Sequence, residues 1–195
     1  RAEIDKAIIN YEKALASKLK TLGPNHPDVA TSWNNLGGTW EDKGKYEKAI
    51  EFYEKALAIN INNFGPNHPN VAINWNNLGN VWRAKGKYDK AIGYYEKALT
   101  SNLETYGPDH PTVAIRWNNL GSAWHDKGEF FRAMEYYQNA ISSDLNNFGT
   151  QHPRVANLWN KLGSILHDKG QYDKAIEYYN KALASDLKTF GSTHP

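Results

Sequence analysis

The chain has 195 residues, of which 23 are basic and 21 acidic, giving a formal net charge of +2. That balance supplies no general field for nucleic acid or an anionic membrane, and no apolar run approaches the ~20 residues of a membrane-spanning helix. With no cysteine, disulfide frameworks, cysteine-based zinc sites and cysteine nucleophiles are excluded. No secretory or transit peptide is visible, so a cytoplasmic location is the expectation. The sequence opens at Arg1 rather than Met and reads as a fragment of something longer.

In chain order, residues 1–26 read as a lone second helix whose first helix is missing. The motif Gly23-Pro24-Asn25-His26-Pro27 follows, and it organises everything after it. It returns at Gly65, Gly107, Gly149 and Gly191, always ending in His-Pro and always after 42 residues. A fixed period of this length marks a repeat architecture. Trp33-Asn34-Asn35-Leu36-Gly37 recurs in the same step at Trp75 and Trp117, and as Trp159-Asn160-Lys161-Leu162-Gly163. Four complete units result, 27–68, 69–110, 111–152 and 153–194, with no insertion or deletion. His194-Pro195 would open a further pair.

Each unit carries two helical patterns. Val29, Trp33, Leu36 and Trp40 are spaced 4, 3 and 4, one face of an α-helix. Pro27 suits its first turn, where a missing N–H costs nothing, and Gly44 suits its end. A second helix follows, with Tyr46, Ala49, Ile50, Tyr53, Ala56, Leu57, Ile61 and Phe64 on one broad face. Glu51 and Lys55 form an i,i+4 pair on the other side. Gly65 stops this helix and Pro66 prevents its continuation. A single unit cannot bury its own apolar face, so its neighbours must.

The pattern Trp33, Leu36-Gly37, Trp40, Gly44, Tyr46, Ala49, Tyr53, Ala56 resembles the tetratricopeptide repeat signature. The period is eight residues longer than the common 34-residue form, mostly in the junction of residues 64–71. In this it resembles the repeats of kinesin light chains. Trp40, Trp82 and Trp124 stand where the family usually has Tyr, and Leu166 replaces them in the last unit. The resemblance implies an all-α, right-handed α-solenoid of antiparallel helix pairs, a superhelix with first helices lining the concave face. It also implies a protein or peptide ligand in that groove.

Carried over from the resemblance, the groove positions include Asn34 and Asn35 in the first unit. In the second they include Asn76, Asn77, Asn80 and Arg83. Asn118, Asn119, Ser122 and His125 follow in the third unit, and Asn160, Lys161, Ser164 and His167 in the fourth. Asn is a poor helix-interior residue, so seven Asn at the paired positions need a reason. A carboxamide has two donors and two acceptor sites. A column of them fits the N–H and C=O groups of an extended chain, or the neighbouring repeat's helix, whose register it would fix. The two roles are compatible. Lys161 interrupts the column. With Arg83 and His167 it would turn positive charge toward an acidic ligand, opposed by Glu41, Asp42, Asp126 and Asp168.

The His that precedes Pro once per repeat reads as a helix-start residue bonding first-turn amides. Repeats packed roughly 10 Å apart hold these rings too far apart to share a metal at ~2 Å. His125-Asp126 and His167-Asp168 lack a further ligand set. The Trp and Tyr residues lie on inward stripes, which favours core packing over base stacking. Phe131 stands where other units have Glu47, Asp89 and Asp173, as a contact surface or as drift. Gly93 replaces Glu51, Glu135 and Glu177 within a helix. No nucleophile–base pair or phosphate loop is visible. The expectation is therefore a binding scaffold with no catalytic role, metal, cofactor, nucleic-acid partner or membrane contact. The alternative is a structural array whose uncapped ends self-associate into dimers or filaments.

Overall fold

The computed structural model describes residues 2–191, so the His194-Pro195 opening of a further pair lies outside the described residues. Among the described residues there are nine α-helices and no strand: α1 (Ala2–Leu22), α2 (Pro27–Asp42), α3 (Tyr46–Phe64), α4 (Pro69–Ala84), α5 (Tyr88–Tyr106), α6 (Pro111–Asp126), α7 (Phe130–Phe148), α8 (Pro153–Asp168) and α9 (Tyr172–Phe190). None of these is long and apolar enough to cross a membrane. The chain divides into two compact units, Arg1–Thr105 and Tyr106–Pro195.

Local chemistry sets the ends of each helix. Pro27, Pro69, Pro111 and Pro153 each open a first helix. The preceding His accepts from the second helical residue: Asp28 N lies 3.1 Å from His26 Nδ1, and Arg154 N 3.2 Å from His152 Nδ1. This is side-chain capping of an otherwise orphaned N–H. The same rings stack on the end of the previous second helix, with Phe64–His68 and Phe148–His152 centroids 4.3 Å apart. Gly65 ends α3 with φ 80° and ψ 168°, a region essentially closed to residues with a Cβ.

In the first unit, α1 packs on α2, α2 on α3 and α3 on α4. One cluster joins Ile8, Leu15, Val29, Leu36 and Ile59; a second joins Ala49, Ile50, Tyr53, Leu78 and Val81. Ile61 and Phe64 lie at the margin and remain 38% and 39% exposed. The last turn of the helix reaches beyond the core to meet the junction loop and the His68 ring. In the second unit α6 pairs with α7 and α8 with α9, and α7 packs on α8. Leu120, Tyr137, Val155, Leu162 and Ile165 are buried there. In both units the short connections between first and second helices, such as residues 43–45, fold each pair back on itself.

Each first helix meets its second helix through a Gly–Tyr contact. A Cβ on Gly37, Gly79, Gly121 or Gly163 would stand 2.6 Å from the ring of Tyr53, Tyr95, Tyr137 or Tyr179, respectively. Only glycine lets the backbone come so close to the ring.

Candidate functional site

The side chains expected to face a ligand lie on α2 and α4 in the first unit, and on α6 and α8 in the second. In the first unit, Asn34 Oδ1 accepts from Asn77 Nδ2 at 2.9 Å and from Asn74 Nδ2 at 3.1 Å. Behind them, Asn60 Nδ2 donates to Asn74 Oδ1 at 2.7 Å, a buried amide pair. A carboxamide thus bridges consecutive first helices. These bonds leave Asn34 Nδ2 and Asn77 Oδ1 without a partner among the described residues. Asn76 is buried, whereas Asn35 is exposed.

The second unit repeats the bridge with different atoms. Lys161 Nζ donates to Asn118 Oδ1 at 2.6 Å and to Ser122 Oγ at 3.0 Å. Lys161 stands at the position of Asn77 two repeat-steps on, and its ammonium donates where the Asn77 amide does. Asn119 and Ser164 are half-buried, and Asn160 is exposed.

Tyrosine hydroxyls from the second helices reach the same face. Tyr53 donates to Glu41 Oε2 at 2.8 Å, Tyr95 to Asn80 Oδ1 at 2.7 Å, and Tyr137 to Ser122 Oγ at 3.1 Å. Burial raises the Glu41 carboxyl above its usual range, partly offset by the Tyr53 bond. Burial, with Glu41 alongside, pushes the Tyr53 phenol up. At the end of each first helix, Arg83 and His125 are half-buried and His167 is exposed. His125 Nε2 lies 3.8 Å from Asp168 Oδ2, and His167 Nδ1 3.5 Å from Asp168 Oδ1. Among the described residues no three His, Asp or Glu side chains gather as a metal site.

A hollow of about 230 Å³ opens beside this face in the second unit, lined by Ile115, Asn118, Asp144, Arg154, Asn157 and Leu158. Asp144 is 1% exposed, and Arg154 Nη2 stands 2.9 Å from its Oδ1. Burial raises the Asp144 carboxyl, against the opposing pull of Arg154 and His152. Asn60, Asn74, Asp144, Arg154 and the three tyrosine hydroxyls escaped the sequence reading. A signal for them was present: Asn60, Asn102 and Asp144 recur at 42-residue steps on an otherwise apolar helix side.

Phe131 has a structural counterpart. Lys85 Nζ donates to Glu47 at 2.8 Å across one repeat, and Lys169 Nζ sits 3.7 Å from the centre of the Phe131 ring. A cation–π contact stands in for the ion pair. Gly93 meets no atom within 4 Å of its virtual Cβ, and nothing in the structure explains a glycine there.

The tetratricopeptide repeat family model matches residues 2–62, 33–104, 72–143 and 116–188. Among solved structures, the chain is similar to BtubC (BKLC) from P. vanneervenii, at 27% identity and a TM-score of 0.86, covering 99% of this chain and 76% of that one. It is also similar to a Podosopora anserina chain described as a kinesin light chain of nearly identical TPR-like repeats, at 22% identity and a TM-score of 0.82, covering 98% and 90%. MamA shares the fold at 24% identity and a TM-score of 0.66, covering 96% and 91%. No curated protein matches the chain. The Gly–Tyr packing, the paired helices and the matched residues agree: the chain belongs to the tetratricopeptide repeat family, with kinesin-light-chain-like repeats.

Proposed function

We propose that this chain is a protein-interaction scaffold that holds an extended peptide along the exposed side of its first helices, without catalysing a reaction. One observation carries the reading: the bridges use one half of the Asn34, Asn77 and Asn118 carboxamides and leave the other. Asn34 has a spare donor, Asn118 has a spare donor, and Asn77 has a spare acceptor. Within the first unit, the spare donor of Asn34 on α2 and the spare acceptor of Asn77 on α4 match the N–H and C=O groups of an extended backbone. Asn35 and Asn160, both exposed, extend the set. Lys161, Arg83, His125 and His167 set the charge that a ligand meets, while Asn76, Asn80, Asn119, Ser122 and Ser164 line or support the face.

The test separates binding from register. Asn34→Asp in the first unit and Asn118→Asp in the second keep the acceptor oxygens that the bridges need and replace each spare donor with a carboxylate oxygen, adding one negative charge apiece. A peptide selected on the folded chain from a displayed random library should bind the double variant at least tenfold more weakly, by about 1.4 kcal/mol, with no loss of melting temperature, since Lys161 pairs with the new carboxylate at position 118. Undiminished binding overturns the reading.

A further inference from the structure

We propose that the hollow beside the second unit's first helices is a specificity pocket for one glutamine side chain of a bound peptide, whose carboxamide donates to the buried Asp144 carboxylate. This deepens the scaffold reading and rests on it. The hollow measures about 230 Å³, less than the roughly 300–1,000 Å³ of pockets that enclose a whole small molecule, so it takes a single side chain. Ile115 and Leu158 supply apolar wall, Asn118 and Asn157 supply amides, and Asp144, 1% exposed, lies at the inner end.

The first unit shows what is missing. Two repeat-steps earlier, Asn60, Asn74 and Asn34 stand at the positions of Asp144, Leu158 and Asn118. There the Asn74 carboxamide fills the place, accepting from Asn60 at 2.7 Å and donating to Asn34 at 3.1 Å. In the second unit Leu158 has no polar group to offer. Asp144 Oδ1 is buried and has no aligned hydrogen-bond donor among the described residues. Its 2.9 Å contact with Arg154 Nη2 is an ion pair, and the hydrogen bond of that nitrogen goes to Pro111 O at 3.0 Å. A buried acceptor without its bond is costly, so a ligand that brings the donor gains affinity there.

Charge selects the group that fits. A carboxylate would meet Asp144, like against like. An ammonium would meet Arg154, whose charge already balances Asp144. An alkyl chain would leave Asp144 unbonded. A primary carboxamide is neutral; its NH2 donates to Asp144 while its oxygen accepts from Asn157 Nδ2. A hydroxyl brings only one donor to the same place. Glutamine carries the carboxamide on a flexible apolar stem, longer than that of asparagine, which lies against Ile115 and Leu158 as the tip reaches the buried carboxylate.

A displayed library of random peptides is selected on the full chain and counter-selected on Leu158→Asn, which fills the hollow with the amide that Asn74 supplies in the first unit. Peptides that bind the unaltered chain and not the variant should share a glutamine. Replacing that glutamine by leucine should weaken binding about tenfold, and by glutamate about a hundredfold. Asp144→Asn installs the residue found at this position in the two preceding repeats, Asn60 and Asn102. Its amide can donate to a carboxylate, so the penalty for glutamate should fall below about tenfold, with unchanged helicity. This variant keeps the test decisive even if Leu158→Asn misfolds. Selected peptides without a shared glutamine, or an equal glutamate penalty on the unaltered chain and on Asp144→Asn, overturn the pocket and leave the scaffold reading to the Asn34 and Asn118 variants. A chain that enriches no peptide overturns both.

Discussion

Glycine plays two opposite parts in these helices. Gly121 lies against Tyr137, and a Cβ there would sit 2.6 Å from the ring. Gly121→Ala gains about 1 kcal/mol of helix propensity but overpacks a buried contact at a cost of about 1–3 kcal/mol or more. The net is a loss, read as a lower urea midpoint. Gly93 has open space around it, so Gly93→Ala should raise stability by about 1 kcal/mol. A second residue-scale effect concerns pH. The folded state raises the Glu41 carboxyl above its unfolded value, chiefly by burial. The folded state therefore binds more protons in that window, and stability falls as pH rises through it. Glu41→Gln keeps an acceptor for Tyr53 and removes the buried charge. It should raise the melting temperature at neutral pH, with the gain vanishing at pH values below the ordinary carboxylate range. Neither effect was legible in the sequence. The ring that meets each glycine lies 16 residues away, and a carboxylate near a helix end reads as solvated until Tyr53 is seen beside it.

At the scale of the helix, the sequence was a good guide wherever a local rule decides the outcome. Proline at the first helical position, the preceding His as cap, and glycine at the stops all fall where the 42-residue spacing puts them. His68→Ala removes a cap bond of 3.1 Å and the stack on Phe64. It should cost about 1 kcal/mol, measured by chemical denaturation. Asn35→Ala, exposed and outside the bridges, should change little. Links between helices were far less legible, because their partners lie about 40 residues apart. Asn63 donates to Asn25 O at 2.8 Å, and Thr105 Oγ1 to Asn67 O at 3.3 Å, tying the end of a second helix to the loop one repeat earlier. Lys161 is the sharpest case. By type it interrupts a run of carboxamides, yet its long side chain delivers a donor to Asn118 from the same position. Phe131 likewise looks anomalous until Lys169 is found over its ring. Phe131→Glu should leave stability within about 0.5 kcal/mol, because it recreates the pairing seen between Glu47 and Lys85.

At the scale of the whole molecule, the period determines what stacks on what within each unit, and the chemistry left over indicates where partners would go. The amide bridges hold neighbouring first helices in register and leave spare donors and acceptors on one side. The most direct measurement of the central claim is amide-resolved NMR of the chain titrated with a library-selected peptide. The account predicts that the side-chain NH2 signals of Asn34 and Asn35 in the first unit, and of Asn118 and Asn160 in the second, shift saturably, while those of α3, α5 and α7 stay still. Shifts confined to the second helices, or no saturable shift at these four residues, would contradict it.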